Sequence, residues 1–282
     1  MKAALLSLLI CSVALADTQT DIEYARAGDI SLKLDLHRPP GAKPPLIVYV
    51  HGGAWRSGSK SSVPIAALLD QSFAIASVEY RLSTQAVFPA QIHDIKAAIR
   101  FLRANAVQYQ IATEKIAIIG SSAGGHLAAL VGVTNGHAAL EGKVGDHLEH
   151  SSDVACIVSF YGASNLQSIL NQSTDHGLSV RIPALKLFLG GLPEQAPALA
   201  KLASPIAHLD KADPPLLLIH GDADPQMPPQ QSVEFVHAYQ ALGLPVTHIS
   251  LPGSKHGGEE FYDETRTKLV TDFLKKTIFN QP

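Results

Sequence analysis

From Pro45 onward the chain carries short, mainly apolar runs at residues 46–50, 73–78, 116–119, 154–160, 216–219 and 246–251. A strand that is apolar on both faces has no side to give to water, so such runs belong in a sheet covered on both sides. Between them lie stretches with apolar residues at helical spacing. The longest, 90–110, places Ile92, Ile95, Ile99, Leu102 and Val107 on one stripe, and 124–133, 230–242 and 261–279 follow the same rule. Alternation of strand and helix predicts an α/β fold built on a mostly parallel, doubly wound sheet with right-handed crossovers. Two earlier extended segments, 22–27 and 30–37, differ: Leu32, Leu34 and Leu36 alternate with polar residues. That pattern suits an antiparallel hairpin turned at Gly28-Asp29, with one face in water. Residues 163–201, rich in Asn, Gly and Pro around an apolar stretch at 182–189, read as an excursion forming a small cap. One domain over 17–282 is expected.

The first sixteen residues stand apart. Lys2 precedes an apolar stretch that ends at Ala14-Leu15-Ala16, a small-x-small cleavage site, so residues 1–16 read as a secretory signal. The apolar part is too short to span a bilayer. Ile10 before Cys11 does not fit a lipoprotein signal, so no membrane anchor is expected, and the protein should be secreted or periplasmic. Cleavage would leave Cys156 alone, which forbids an internal disulfide; stability must come from the core. With 46% hydrophobic residues and 17% charged, the chain can build one. Its net charge of −3 excludes a dominant attraction to nucleic acid or anionic membrane.

The chemistry concentrates in four loops. Gly120-Ser121-Ser122-Ala123-Gly124 is a G-x-S-x-G between an apolar run and a helical pattern. There a sharp strand-to-helix turn projects the Ser122 hydroxyl above the sheet, and the helix N-terminus favours developing negative charge. A Walker loop would need Gly-Lys-Ser/Thr, and a dinucleotide site G-x-G-x-x-G; neither is present, and no cofactor is expected. His51-Gly52-Gly53-Ala54-Trp55 follows another run, and its glycines let backbone approach a ligand. His51 reads as a loop-orienting residue and Trp55 as a packing anchor or pocket wall. A nucleophilic serine needs a base, and the base needs a carboxylate. Downstream, His220–Pro228 carries Asp222 and Asp224, and 252–257 carries His256, each after an apolar run and therefore at the carboxyl edge of the sheet. His220 reads as packing the acid turn, and His126 lies one turn into the helix after Ser122. The spacing of His137, His147 and His150 with Asp146 is a weak metal pattern, and no metal is expected.

Taken together, these motifs resemble the α/β-hydrolase superfamily of serine esterases. Tyr80-Arg81-Leu82, Phe88-Pro89-Ala90 and Pro214-Pro215 add to the match, which spans about residues 21 to 275. Within it the chain is similar to the bifunctional acetyl xylan/feruloyl esterase-like and hormone-sensitive-lipase-like group. The resemblance implies an eight-stranded sheet and a Ser122–His256–Asp224 triad, the family spacing selecting Asp224 over Asp222. It also implies an oxyanion hole from the amides of Gly53, Ala54 and Ala123. Ala54 stands where many relatives have a third glycine. The implied activity is hydrolysis of short acyl or aryl esters by a secreted carboxylesterase, including acetyl or feruloyl esters of plant polysaccharide. The partner is then a small-molecule or polysaccharide-linked ester. HGGxW also occurs in kynurenine formamidases, so an arylformamidase is an alternative, as is a catalytically inactive binding protein of the same fold.

Overall fold

The computed structural model describes residues 17–41 and 43–279. Cys11 and the whole leader, residues 1–16, lie outside the described residues. Eight strands form one sheet in the order β1-β2-β4-β3-β5-β6-β7-β8. They are β1 (Asp17–Ala27), β2 (Ile30–Arg38), β3 (Pro45–Val50), β4 (Ala74–Val78), β5 (Ala112–Ser121), β6 (Cys156–Phe160), β7 (Leu216–Gly221) and β8 (Val246–Leu251). The first two pair antiparallel, with Ala27 opposite Ile30 across the Gly28-Asp29 turn, and β2 runs antiparallel to β4. Every later pairing is parallel. This is the α/β-hydrolase fold.

The helices are α1 (Ala90–Ala104), α2 (Ala123–Gly132), α3 (Ala138–Glu141), α4 (Ile169–Gln172), α5 (Asp175–Leu189), α6 (Pro197–Leu202), α7 (Gln230–Ala241) and α8 (Glu264–Phe279). Alternate residues of one strand feed two separate cores, as strand geometry requires. Leu46, Val48 and Val50 join Leu216 and Leu218 beneath α1, α2, α5 and α7. Ile47, Tyr49, Leu217 and Ile219 face the other way, against Val270, Leu274 and Ile278 of α8. Fully apolar strands thus have both faces covered.

Two expectations need correction. Ile92, Ile95, Ile99 and Leu102 are fully buried, but Val107 is 81% exposed, because α1 ends at Ala104. The Asn105 side chain turns back to the Phe101 carbonyl at that end (2.8 Å), and the chain leaves the helical path before the stripe reaches 107. Strand β8 is not buried on both faces: only Leu251 of its six residues is buried, because it closes the sheet edge beside β7. The segment 163–201 holds α4, α5 and most of α6. Thr174 caps α5 by accepting from the Gly177 amide (3.0 Å), and its hydroxyl donates to the Pro225 carbonyl (2.8 Å). That bond ties α5 to the loop carrying Asp224.

Candidate active site

Five parallel strands deliver their carboxyl ends to one cleft of about 700 Å³. The loop after β3 supplies Gly53 and Ala54, β5 leads into Ser122, β6 into Tyr161, β7 into Asp224 and β8 into His256.

Ser122 sits at φ 55°, ψ −118°, a conformation costly for any residue with a Cβ. The turn exists because its neighbours lack side chains. A Cβ on Gly120 would lie 2.1 Å from the Gly124 carbonyl oxygen, and one on Gly124 would lie 2.0 Å from that of Val50. The Ser122 amide donates to the Phe160 carbonyl (2.9 Å), which pins the turn to β6. No side chain caps α2, so its first amides remain available to an anion.

From the serine a chain of hydrogen bonds runs inward. Ser122 Oγ lies 2.8 Å from His256 Nε2, and His256 Nδ1 lies 2.6 Å from Asp224 Oδ2. The other carboxylate oxygen of Asp224 accepts the amides of Gln226 (2.8 Å) and Met227 (2.9 Å). Burial pushes the Asp224 carboxyl up, but the bonds from His220 and His256, with the Met227 amide, outweigh it and hold the group well below the usual carboxylate range. The loops carrying Asp224 and His256 are strapped together. The Asp222 and Ala223 amides donate to the carbonyls of Leu251 and Ser254 (both 3.1 Å), and Asp222 Oδ1 accepts the Gly253 amide (2.7 Å). Asp222 therefore braces the turn, while Asp224 meets the imidazole.

Gly53, Ala54 and Trp55 form a run of positive φ values, 109°, 53° and 60°. A Cβ on Gly53 would lie 2.1 Å from the Ser57 carbonyl oxygen, so the run needs glycine at its start. The Gly53 carbonyl accepts from the Arg56 and Ser57 amides, whereas the amides of Gly53 and Ala54 donate to no acceptor among the described residues. His51 makes no hydrogen bond to Ser122. Its Nδ1 meets the Gly52 carbonyl (2.7 Å) and its ring stacks on Tyr80 at 4.5 Å. Trp55 is fully buried, stacked on Phe188 at 4.7 Å, and its indole N–H donates to His126 Nδ1 (3.1 Å). His126 must then donate through Nε2 to the Ala203 carbonyl (2.7 Å); burial pushes its pKa down to about 4, keeping it neutral.

Further residues surround the triad and the cleft. His220 contacts the same Asp224 oxygen through Nε2 (3.3 Å) while its Nδ1 meets the Ser232 hydroxyl (2.7 Å). Tyr161 packs edge-on against His256 at 4.8 Å. Its hydroxyl joins a cluster with Tyr262 (2.7 Å), which contacts Ser121 Oγ (2.7 Å), itself bonded by Tyr49 (3.2 Å). Arg56 and Arg181 also line the cleft. His137 lies edge-on to His208, and His147 and His150 flank Glu149; none of them reaches the cleft.

The BD-FAE family model matches residues 34–239. The chain belongs to the BD-FAE family of α/β-hydrolase esterases. It is 31% identical over 269 residues to Esterase LipQ of Mycobacterium tuberculosis, covering 90% of this chain and 61% of that protein. The chain thus spans about three-fifths of the length of that relative. Among solved structures it is similar to a truncated form of a carbohydrate esterase from gut microbiota, with a TM-score of 0.84, 35% identity, and coverage of 93% of this chain and 96% of that one. A second, at TM-score 0.75 and 25% identity, is the acetyl ester-xyloside bifunctional hydrolase of Caldicellulosiruptor lactoaceticus, covering 89% of this chain and 90% of the other.

Proposed function

We propose that this BD-FAE member is a secreted serine carboxylesterase acting on short acyl or aryl esters, including acetyl or feruloyl esters of plant polysaccharide. The observation that carries the reading is the unbroken relay from Ser122 Oγ through both nitrogens of His256 to Asp224 Oδ2. In the first step Ser122 Oγ attacks the ester carbonyl while His256 Nε2 takes its proton, and Asp224 stabilises the resulting imidazolium through Nδ1–H. The amides of Gly53, Ala54 and Ala123 receive the tetrahedral oxyanion, each donor contributing about 2.7–4 kcal/mol by mutational precedent. Collapse expels the alcohol, protonated by His256, and leaves an acyl-serine. Water, deprotonated by the same imidazole, then releases the acid and restores Ser122.

The named esterase and carbohydrate-esterase relatives support the ester and sugar parts of this reading. Export rests on the apolar stretch ending at Ala14-Leu15-Ala16. Among the described residues no helix is long and apolar enough to cross a membrane. The test is a fluorophosphonate probe with peptide mapping, followed by turnover of 4-nitrophenyl acetate, methyl ferulate and acetylated xylan. A label on Ser122, lost in Ser122→Ala together with turnover, is expected; labelling elsewhere, or full turnover by Ser122→Ala, overturns the mechanism.

A further inference from the structure

Arg181 is the one guanidinium of the cleft drawn from α5, and it is only 1% exposed. Its Nε donates to the Gln226 carbonyl (3.2 Å), and its Cζ lies 6.0 Å from the centre of the Trp55 ring. Nη1 is buried with no hydrogen-bond partner, and no carboxylate among the described residues forms an ion pair with Arg181. Burial pushes the guanidinium down to about 10; the Asp224 charge opposes that and the charge of Arg56, which also lines the cleft, adds to it. No Asp or Glu is among the described residues lining the cleft, and the Asp224 carboxylate that acts on Arg181 from behind it is already engaged by His256 and His220. A buried cation without a hydrogen-bonded anion is costly, and packing alone gives no reason to keep it. Trp55 would be covered as well by an uncharged side chain.

We propose that Arg181, seconded by Arg56, is a subsite for a carboxylate carried by the ester substrate itself. The inference rests on the esterase reading above and names the substrate class within it. A planar guanidinium with unused N–H groups matches a carboxylate in geometry as well as charge. Arg181 is anchored at one end by the loop that holds Asp224 and at the other by the Trp55 loop beside the oxyanion amides. A carboxylate bound there would hold the ester in place over Ser122.

The carboxylate could sit on the acyl or on the alcohol side, and paired substrates separate the two. Monomethyl adipate against methyl hexanoate tests the acyl side; 4-(carboxymethyl)phenyl acetate against 4-methylphenyl acetate tests the alcohol side. In one of the pairs the anionic ester should have the higher kcat/KM by about tenfold or more, as charge-assisted pairing in a desolvated site allows. In Arg181→Gln that ratio should collapse towards one, and in Arg56→Gln it should fall by a smaller factor. High salt should erode the Arg56 contribution before that of Arg181. No preference in either pair with wild-type protein overturns the subsite, whatever the variants do. Equal losses for charged and neutral members in Arg181→Gln do so too, since that is the signature of a purely structural arginine. If Arg181→Gln does not fold, the wild-type ratios and Arg56→Gln decide. Failure to turn over even the neutral esters would instead refute the esterase reading, so the two outcomes are distinct.

Discussion

Replacing Asp224 with Asn tests the relay at the point where the structure dictates the outcome. One carboxylate oxygen accepts two backbone amides, from Gln226 and Met227, and the other faces His256 Nδ1 and His220 Nε2. In the Asp224→Asn variant the side-chain carbonyl oxygen must stay with the amides, since turning the NH₂ towards them would leave two N–H donors without an acceptor, at about 1–3 kcal/mol each. The NH₂ group therefore points at His256 Nδ1 and donates to it. His256 must then carry its proton on Nε2, the nitrogen that has to accept from Ser122 Oγ. The base is present, folded and in the wrong tautomer. His220 meets a donor as well, because its Nδ1 accepts from Ser232 and its Nε2 carries hydrogen between Asp224 and the Met227 carbonyl. The expected loss in kcat is about 10⁴-fold, the size found when the same exchange is made in a serine protease triad, or about 5.5 kcal/mol of barrier at 1.36 kcal/mol per decade. Asp222→Asn keeps an oxygen for the Gly253 amide and should cost less than about threefold, as surface changes usually do. The assay is kcat on 4-nitrophenyl acetate, with near-ultraviolet circular dichroism to show that both variants are folded. If Asp224→Asn keeps more than a tenth of wild-type kcat, or Asp222→Asn is the worse of the two, the assignment of the acid is wrong.

Three further outcomes follow from the packing. Gly124→Ala places a Cβ 2.0 Å from the Val50 carbonyl oxygen, so β3 and α2 must separate; a loss of about 2–4 kcal/mol in urea unfolding is expected, and an unchanged midpoint would refute the close approach. Burial pushes the Cys156 thiol up to about 12, so folded protein should resist iodoacetamide at pH 8 and react only when unfolded, as mass spectrometry can show; rapid alkylation with retained structure would contradict the burial. Burial and the Asp210 charge raise the Asp213 carboxyl from 3.8 to about 6, against the pull of the Asp210 amide, so the folded state holds its proton more tightly than the unfolded one. Stability should then fall as pH rises from about 4 to 6 and level off above. The advantage of Asp213→Asn in urea midpoint should grow across that window, and a constant difference from pH 4 to 7 would refute it.

What could be read from the residues and what could not divide along a physical line. Ser122, Asp224 and His256 each follow the last apolar residue of a strand, and each turn is shaped by residues next to them: Gly120 and Gly124 about the serine, Gly221 beneath the acid, Gly257 and Gly258 after the base. Such turns are local chemistry, so they survive in the sequence as motifs. The end of α1 was less legible, because apolar spacing continues to Val107 although the Asn105 cap has already broken the helix. The exposed residues of β8, Thr247 and Ser250, are polar in the sequence; that the strand lies at the sheet edge depends on strand order, which the runs do not encode. Arg181 is the extreme case. Nothing beside it in α5 marks it; its significance comes from Gln226, Trp55 and Arg56, brought to it from loops distant in sequence. Turn chemistry belongs to neighbours along the chain, whereas the wall of the cleft at Val180 and Arg181 is laid down by α5, from the excursion at 163–201. If Arg181 selects the ester as proposed, exchanging α5 for that of a relative should move the substrate preference while leaving the Ser122–His256–Asp224 relay in place.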